Sequence, residues 1–363
     1  MDLKALGWTE ELSALFKPYE ERRMTAARVV LQNKNSYMLY DGQNMVKGRV
    51  SGRFLHEVVL KKDYPAVGDW VAVQNIPGSD GVLIHSILPR STCFVRKLPI
   101  SGGRKLKNGI IDGGVTEEQV IASNIDTVFI VSGLDDNFNL QRIERYITLA
   151  FNSGANPVII LNKLDICPDP ALYIDMVRKA AIRLPIHCIS AYTGAGMEVF
   201  DNYLNSGQTA VFIGSSGVGK STITNYLLNS EMQKTKTTSS YSGKGRHTTT
   251  CRELFFYNNG GMIIDTPGLR ELQLWGEEDA LADSFEDITE LAEKCKYKDC
   301  THAVEPCCAV RNAVEEGKIS RERLDSYKKQ LEELSRLSKK HRQFEINMNR
   351  KRKYSVTGKR DKQ

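Results

Sequence analysis

The run Gly214-Ser215-Ser216-Gly217-Val218-Gly219-Lys220-Ser221, with Thr222 behind it, holds the residue types and spacing best suited to chemistry. The apolar segment Thr209–Ile213 leads into it, and a helical pattern from Thr222 to Leu228 leads out. In that context a glycine loop turns its backbone N–H groups onto phosphate oxygens, and the helix N-terminus adds partial positive charge. Lys220 is expected to reach the β- and γ-phosphates, as both a binding and a catalytic group. The Ser221 hydroxyl is expected to complete a Mg²⁺ shell. These residues imply a nucleoside triphosphate.

A second run reads the base. Asn162-Lys163-Leu164-Asp165 follows the buried strand pattern Pro157–Leu161. A carboxylate only accepts hydrogen bonds, so Asp165 suits a base edge with two adjacent donors. Guanine offers N1–H and its 2-amino group; adenine has no such pair, which opposes an ATPase. The Lys163 stem would lie on the base plane and Asn162 would tie the loop down. Ser190-Ala191 ends the strand pattern Ile186–Ile189, where its backbone can face guanine O6. Loops at the carboxyl ends of strands are where open α/β sheets bind ligands.

Asp265-Thr266-Pro267-Gly268 closes the apolar run Met262–Ile264. Asp265 is placed to hold Mg²⁺ through water, and the Gly268 N–H to meet the γ-phosphate. Residues Gln233–Thr250, rich in Lys, Thr, Ser and Gly, are expected to be mobile until a ligand orders them. One of Thr248, Thr249 and Thr250 should give Mg²⁺ a second hydroxyl, and Thr249 is the choice. Leu269 stands where many GTPases place a water-orienting glutamine. His247 is the candidate to position water in its place; a solvated loop histidine or an RNA contact is the alternative. The motif order is permuted, because Asn162–Asp165 and Ser190-Ala191 precede Gly214–Ser221 and Asp265–Gly268. Joining the old termini and cutting elsewhere preserves the same site in space, and the loop after Gly268 then leads straight into the C-terminal domain.

The elements that must position these loops fall into distinct stretches of a 363-residue chain. Apolar content of 41% and charged content of 26% suit a globular protein, and no apolar run approaches a membrane span. The first residues lack the apolar core of a signal peptide, so the cytoplasm is the expected compartment. Residues 1–24 read as an amphipathic helical segment. Residues 25–92 hold short β-like runs, such as Ala27–Leu31, Ser36–Tyr40, Asp69–Val73 and Val82–Ile87, separated by glycine turns. They suggest a small closed barrel, with the OB-fold a strong candidate. Residues 93–114 read as a flexible basic linker. Residues 115–274 alternate buried strands and helices, the pattern of an α/β sheet covered on both faces. Residues 275–349 are largely helical, and 350–363 form a basic tail suited to a polyanion. The net charge of +6 matters less than that placement.

Four of the eight cysteines, Cys295, Cys300, Cys307 and Cys308, cluster beside His302. In a cytosolic chain such a cluster points to metal before disulfides. Three thiolates and one imidazole suit a closed tetrahedral zinc site of structural type, with Cys307 and Cys308 competing for one position.

Permuted motifs, a barrel-like N-terminal stretch, the string Gly245-Arg246-His247-Thr248-Thr249-Thr250 and the Cys/His cluster together resemble the RsgA (YjeQ) family of small-ribosomal-subunit biogenesis GTPases. The resemblance spans nearly the whole chain. It implies an OB-fold barrel, a circularly permuted P-loop GTPase domain and a mostly helical zinc domain. It favours Cys308 over Cys307, giving Cys295, Cys300, His302 and Cys308 as ligands of one structural zinc. It also implies GTP hydrolysis to GDP and phosphate, stimulated by the small (30S) subunit and its 16S rRNA during late maturation. A monomer without membrane contact is expected. The alternative is an RNA-binding assembly scaffold with structural, unhydrolysed GTP, and turnover in the presence of subunits separates the two.

Overall fold

The structure is a computed structural model and describes residues 2–33, 36–58, 60–97, 118–234, 252–257, 260–265 and 278–336. By packing, the chain divides into two compact units: Met1–Val95 with Val120–Leu272, and Arg96–Gln119 with Gln273–Gln363.

The N-terminal segment is not one helix. A short turn, Lys4–Leu6, ends at Gly7 with φ 85°, and α1 (Glu10–Glu20) starts afresh. Thr9 caps α1, its hydroxyl accepting from the Leu12 N–H at 3.2 Å. Five strands then close a barrel: β1 (Thr25–Gln32), β2 (Tyr37–Tyr40), β3 (Met45–Val50), β4 (Trp70–Asn75) and β5 (Gly81–Ile87), with the short α2 (Gly52–Glu57) between β3 and β4. They pair in the order β1-β2-β3-β5-β4, and β4 returns to β1. The β3–β5 pair is parallel and the others antiparallel, as a Greek-key barrel of the OB type requires. A bulge after Val29 lets β1 bend between its two partners. Inward residues Val29, Leu39, Val71 and Ile84 are fully buried in its core. Each such side chain contributes about 1.5–3 kcal/mol of burial free energy.

The expected linker begins with a strand. Cys93–Lys97 (β6) forms a two-stranded ribbon with Glu118–Ser123 (β7), while 98–114 lies outside the described residues.

The α/β sheet is built from β8 (Thr127–Gly133), β9 (Asn156–Asn162), β10 (Ile186–Cys188), β11 (Thr209–Ile213), β12 (Arg252–Phe256) and β13 (Met262–Asp265). Its order is β10-β9-β8-β11-β13-β12, parallel throughout except for β12. Helices α3 (Leu140–Ser153), α4 (Pro170–Ala180) and α5 (Lys220–Lys234) belong to this part. Strands β8 and β11 are buried along their whole length, which is why they read as uninterrupted apolar runs.

Barrel and sheet, distinct in the sequence, are spliced. β1 pairs with β12 through Leu31↔Glu253 and Gln32↔Arg252, making one continuous sheet of eleven strands. Arg28 reinforces the splice from a fully buried position on β1. Its guanidinium donates to Gly68 O at 3.2 Å, Asn124 O at 3.0 Å and Thr209 Oγ1 at 2.9 Å, and also to Leu6 O. Burial pushes its pKa down to about 10, opposed by the charges of Asp126 and Asp69.

The second unit holds α6 (Glu278–Ser284), α7 (Glu286–Ala292), α8 (Ala309–Glu315) and a helical stretch over 321–336. The two helices before Cys295, α6 and α7, are divided at Phe285. Arg323 packs over the Phe285 ring at 4.7 Å and forks onto Asp287 at 2.6 and 2.7 Å.

Candidate functional site

The loop Gly214–Gly219 leaves the carboxyl end of β11, and α5 starts at Lys220. Val218 in the loop and Ile223 in α5 are buried in the core, anchoring its carboxyl end. The Lys220 ammonium curls back and donates to Gly214 O and Ser215 O, both at 2.6 Å. Ser221 and Thr222 are exposed at the first turn of α5. Gly219 has φ 100°, and a Cβ there would lie 2.1 Å from Asn162 Nδ2.

That close approach marks the centre of the site. Asn162 ends β9, is 3% exposed, and joins three loops. Its amide donates to Val218 O at 2.9 Å, its side-chain oxygen accepts from the Ala191 N–H at 3.0 Å, and its backbone carbonyl accepts from the Leu134 N–H at 2.8 Å. Next in the chain, Lys163 takes a left-handed φ of 72°, which turns Leu164 so that its N–H reaches Ile189 O at 3.0 Å. Asp165 is exposed, and the buried Ser190 hydroxyl donates to its Oδ1 at 2.5 Å. The expected backbone donors to a guanine O6 are engaged within the protein: the Ala191 N–H on Asn162 Oδ1, and the Ser190 N–H on Ala195 O at 2.9 Å.

Asp265 sits exposed at the end of β13, opposite Glu253 of β12. Burial raises the Glu253 pKa, and the Asp265 charge adds to it. Gly268, Leu269, His247 and the threonines Thr248, Thr249 and Thr250 lie outside the described residues.

Sequence reading missed two residues in the loop after β8. Asp135 Oδ2 lies 2.6 Å from Lys163 Nζ, and Asn137 Nδ2 donates to Ser216 O at 3.1 Å. Their signal is a polar cluster, Asp135-Asp136-Asn137, at the carboxyl end of a fully buried strand.

The cluster in the second unit is built independently. The ligand atoms of Cys295, Cys300, His302 and Cys308 all lie within 4.8 Å of one another. Cys295 Sγ is 3.8 Å from Cys308 Sγ and 3.7 Å from His302 Nδ1, and His302 Nδ1 is 3.4 Å from Cys308 Sγ. Tetrahedral bonds of about 2.3 Å to sulfur and about 2.0 Å to nitrogen require edges of about 3.8 and about 3.5 Å. The residues fit a metal of that kind. Cys308 is 2% exposed, whereas Cys307 is exposed and turned away on a left-handed φ of 56°. Burial lowers the His302 pKa, with Lys328 adding to it, which favours the neutral imidazole that binds metal. Glu305 gathers the intervening loop, accepting from the Thr301 hydroxyl at 2.5 Å and from the Thr301, Ala303 and Val304 N–H groups at 2.8–3.0 Å. Those donors, the Thr301 hydroxyl first, draw its pKa down to about 2.

Comparison with known proteins accords with this layout. The family model for RsgA GTPase matches residues 105–275, and that for 50S ribosome-binding GTPase matches 209–350. The second match begins at β11, leaving out the Asn162–Asp165 loop that permutation has moved upstream. The small ribosomal subunit biogenesis GTPase RsgA of Opitutus terrae is 42% identical over 91% of this chain and 89% of its own. Its namesake from Methanosarcina acetivorans is 38% identical, covering 96% and 93%. Among solved structures, YjeQ from Thermotoga maritima superposes with a TM-score of 0.62 at 25% identity, covering 86% of this chain and 98% of that one.

Proposed function

Since this chain belongs to the RsgA family of small ribosomal subunit biogenesis GTPases, we propose that its two clusters divide the labour of one subunit-stimulated GTP hydrolase. The protein is a GTPase acting in maturation of the small subunit. What carries the site assignment is Asn162, which holds the base-reading loop, the Ser190-Ala191 loop and the phosphate loop at fixed separation.

In this reading Asp165, oriented by Ser190, accepts from guanine N1–H and the 2-amino group. Lys163 covers the base plane. The N–H groups of Gly214–Ser221 and the Lys220 ammonium surround the phosphates; with nucleotide bound, the ammonium exchanges its two loop carbonyls for phosphate oxygens. Ser221 and Thr249 would ligate Mg²⁺, and Asp265 would hold its water shell, beside Gly268 at the γ-phosphate. Bound Mg²⁺ neutralises charge developing on the phosphate oxygens. His247 positions the attacking water. Cys295, Cys300, His302 and Cys308 bind one zinc, whose four protein ligands leave no place for substrate, so its role is structural. The chain works in the cytoplasm as a monomer. No described helix is long and apolar enough to cross a membrane.

The test is GTP turnover with and without purified small subunits. A sharp rise with subunits is expected, and His247→Ala should abolish most of that rise while GTP affinity stays near wild type. Normal stimulated turnover in the variant would pass the water-positioning role to a group supplied by the ribosome. Asp165→Asn exchanges an acceptor for a donor against the 2-amino group. It should weaken GTP binding by about 1.5–3 kcal/mol, and xanthosine triphosphate should bind better to the variant than to wild type. Unchanged GTP affinity would remove Asp165 from the site.

A further inference from the structure

β8 lies between the strand that carries the base-reading loop and the strand that carries the phosphate loop, and its own carboxyl-end loop belongs to neither motif. We propose that Asp135 and Asn137 in this loop are positioning residues that fix the base-covering lysine and the tip of the phosphate loop relative to one another before nucleotide arrives. The proposal rests on the nucleotide reading given above.

The two contacts run in opposite directions from one tight turn. On one side Asp135 Oδ2 holds Lys163 Nζ at 2.6 Å. On the other, Asn137 Nδ2 donates to Ser216 O at 3.1 Å and to Ser215 Oγ at 3.4 Å. The turn itself is closed by Phe138 N–H on Asp135 O at 2.8 Å and by Asn137 N–H on Asp135 Oδ1 at 3.3 Å. Gly133 allows the carboxylate to fold back over the end of β8, because a Cβ there would sit 2.4 Å from Asp135 Oδ1.

The orientation of the Asn137 amide follows from its neighbours. Arg142, in the first turn of α3, donates to Asn137 Oδ1 at 2.9 Å. A guanidinium has only donors, so the amide must present oxygen to Arg142 and nitrogen to the phosphate loop. Holding the Ser216 carbonyl fixes that peptide of the phosphate loop, and with it the setting of the neighbouring N–H groups that phosphate binding needs. Lys163 gains in a different way. Its ammonium is already neutralised by Asp135, so what it offers the base is an immobilised apolar stem. A lysine side chain left free would have to be ordered at each binding event. Asn162 ties the loops after β9, β10 and β11 together, the Asp135–Asn137 turn adds a second tie between the loops after β9 and β11, and both are set without ligand.

Preorganisation of this kind acts on nucleotide residence and not on the chemical step. Release of N-methylanthraniloyl-GDP is to be followed by stopped flow in the full chain, with kcat at saturating GTP and small subunits measured alongside. Asp135→Asn, which keeps the turn's acceptor but loses the charge on Lys163, should speed release about tenfold, or about 1.4 kcal/mol. Asn137→Asp should lose as much as Asn137→Ala, because the carboxylate still accepts from Arg142 but cannot donate to Ser216. In all three kcat should stay within about twofold of wild type, a change of about 0.4 kcal/mol. Wild-type release rates in the variants overturn the proposal. So does faster release matched by a lower melting temperature without nucleotide, since that pattern is a general loosening. Failure of the wild-type chain to bind the GDP probe would instead overturn the nucleotide reading.

Discussion

Gly219→Ala is expected to leave the chain folded and to weaken GTP and GDP binding at least about a hundredfold, or about 2.7 kcal/mol. Two costs coincide at this residue. Its φ of 100° is a conformation that a side chain resists, at about 1–3 kcal/mol. The added methyl would also lie 2.1 Å from Asn162 Nδ2, so the amide must leave. Its departure strips Val218 O and the Ala191 N–H of their partner, at about 1–3 kcal/mol for each buried group left unsatisfied. The phosphate loop can escape only by moving away from the geometry that meets phosphates. Titration calorimetry with GDP, beside a melting curve to establish folding, reads the effect. Near-normal affinity would mean that Asn162 and the loop separate freely, and the central role given to Asn162 would fall.

Cys308→Ser is expected to release zinc and soften the second unit, while Cys307→Ser keeps both. The two side chains are adjacent in the chain and opposite in environment, one buried at contact distance from Cys295 and His302, the other exposed. Structural zinc sites in small domains are worth about 10–16 kcal/mol of apparent binding free energy, nearly all of it expressed as folding. Loss of one thiolate should therefore lower the melting of residues 278–336 well before it touches nucleotide binding, whose proposed residues are in the other unit. Elemental analysis of freshly purified protein should find one zinc per chain. Protein without zinc, or zinc kept by Cys308→Ser and lost by Cys307→Ser, would remove the assignment or move its fourth ligand.

The parts of this molecule that the sequence discloses are those whose physics is local. Gly214–Ser221 and Asn162–Asp165 stand out because the roles proposed for them, in backbone conformation and base chemistry, demand particular residues within a few positions. The cysteine cluster does so because metal ligands are few and closely spaced. The strand Met45–Val50 escapes notice because its burial is slight and its alternation weak. Cys93–Lys97 is masked by the basic, glycine-rich segment that follows. Asp135 and Asn137 escape for another reason: their partners lie 28 and 79 residues away, and no pattern along the chain encodes which loops meet at the end of a sheet. Arg28 looks like a polar interruption of a strand and is instead the buried pin between barrel and sheet.

The pairing of β1 with β12 has a mechanical meaning. β12 opens at Arg252, and its first residues are stitched to the barrel wall. The stitch is short, Leu31↔Glu253 and Gln32↔Arg252, with Arg252 Nη1 donating to Gln32 Oε1 at 3.0 Å. Backbone bonds between strands resist sliding along the strand together but open one by one when peeled. A pull on the barrel along β1 is thus handed to β12 as a whole, whereas a sideways lever would unzip it. The barrel is the anchorage for one end of β12, and the direction of a load on it decides whether the sheet feels that load.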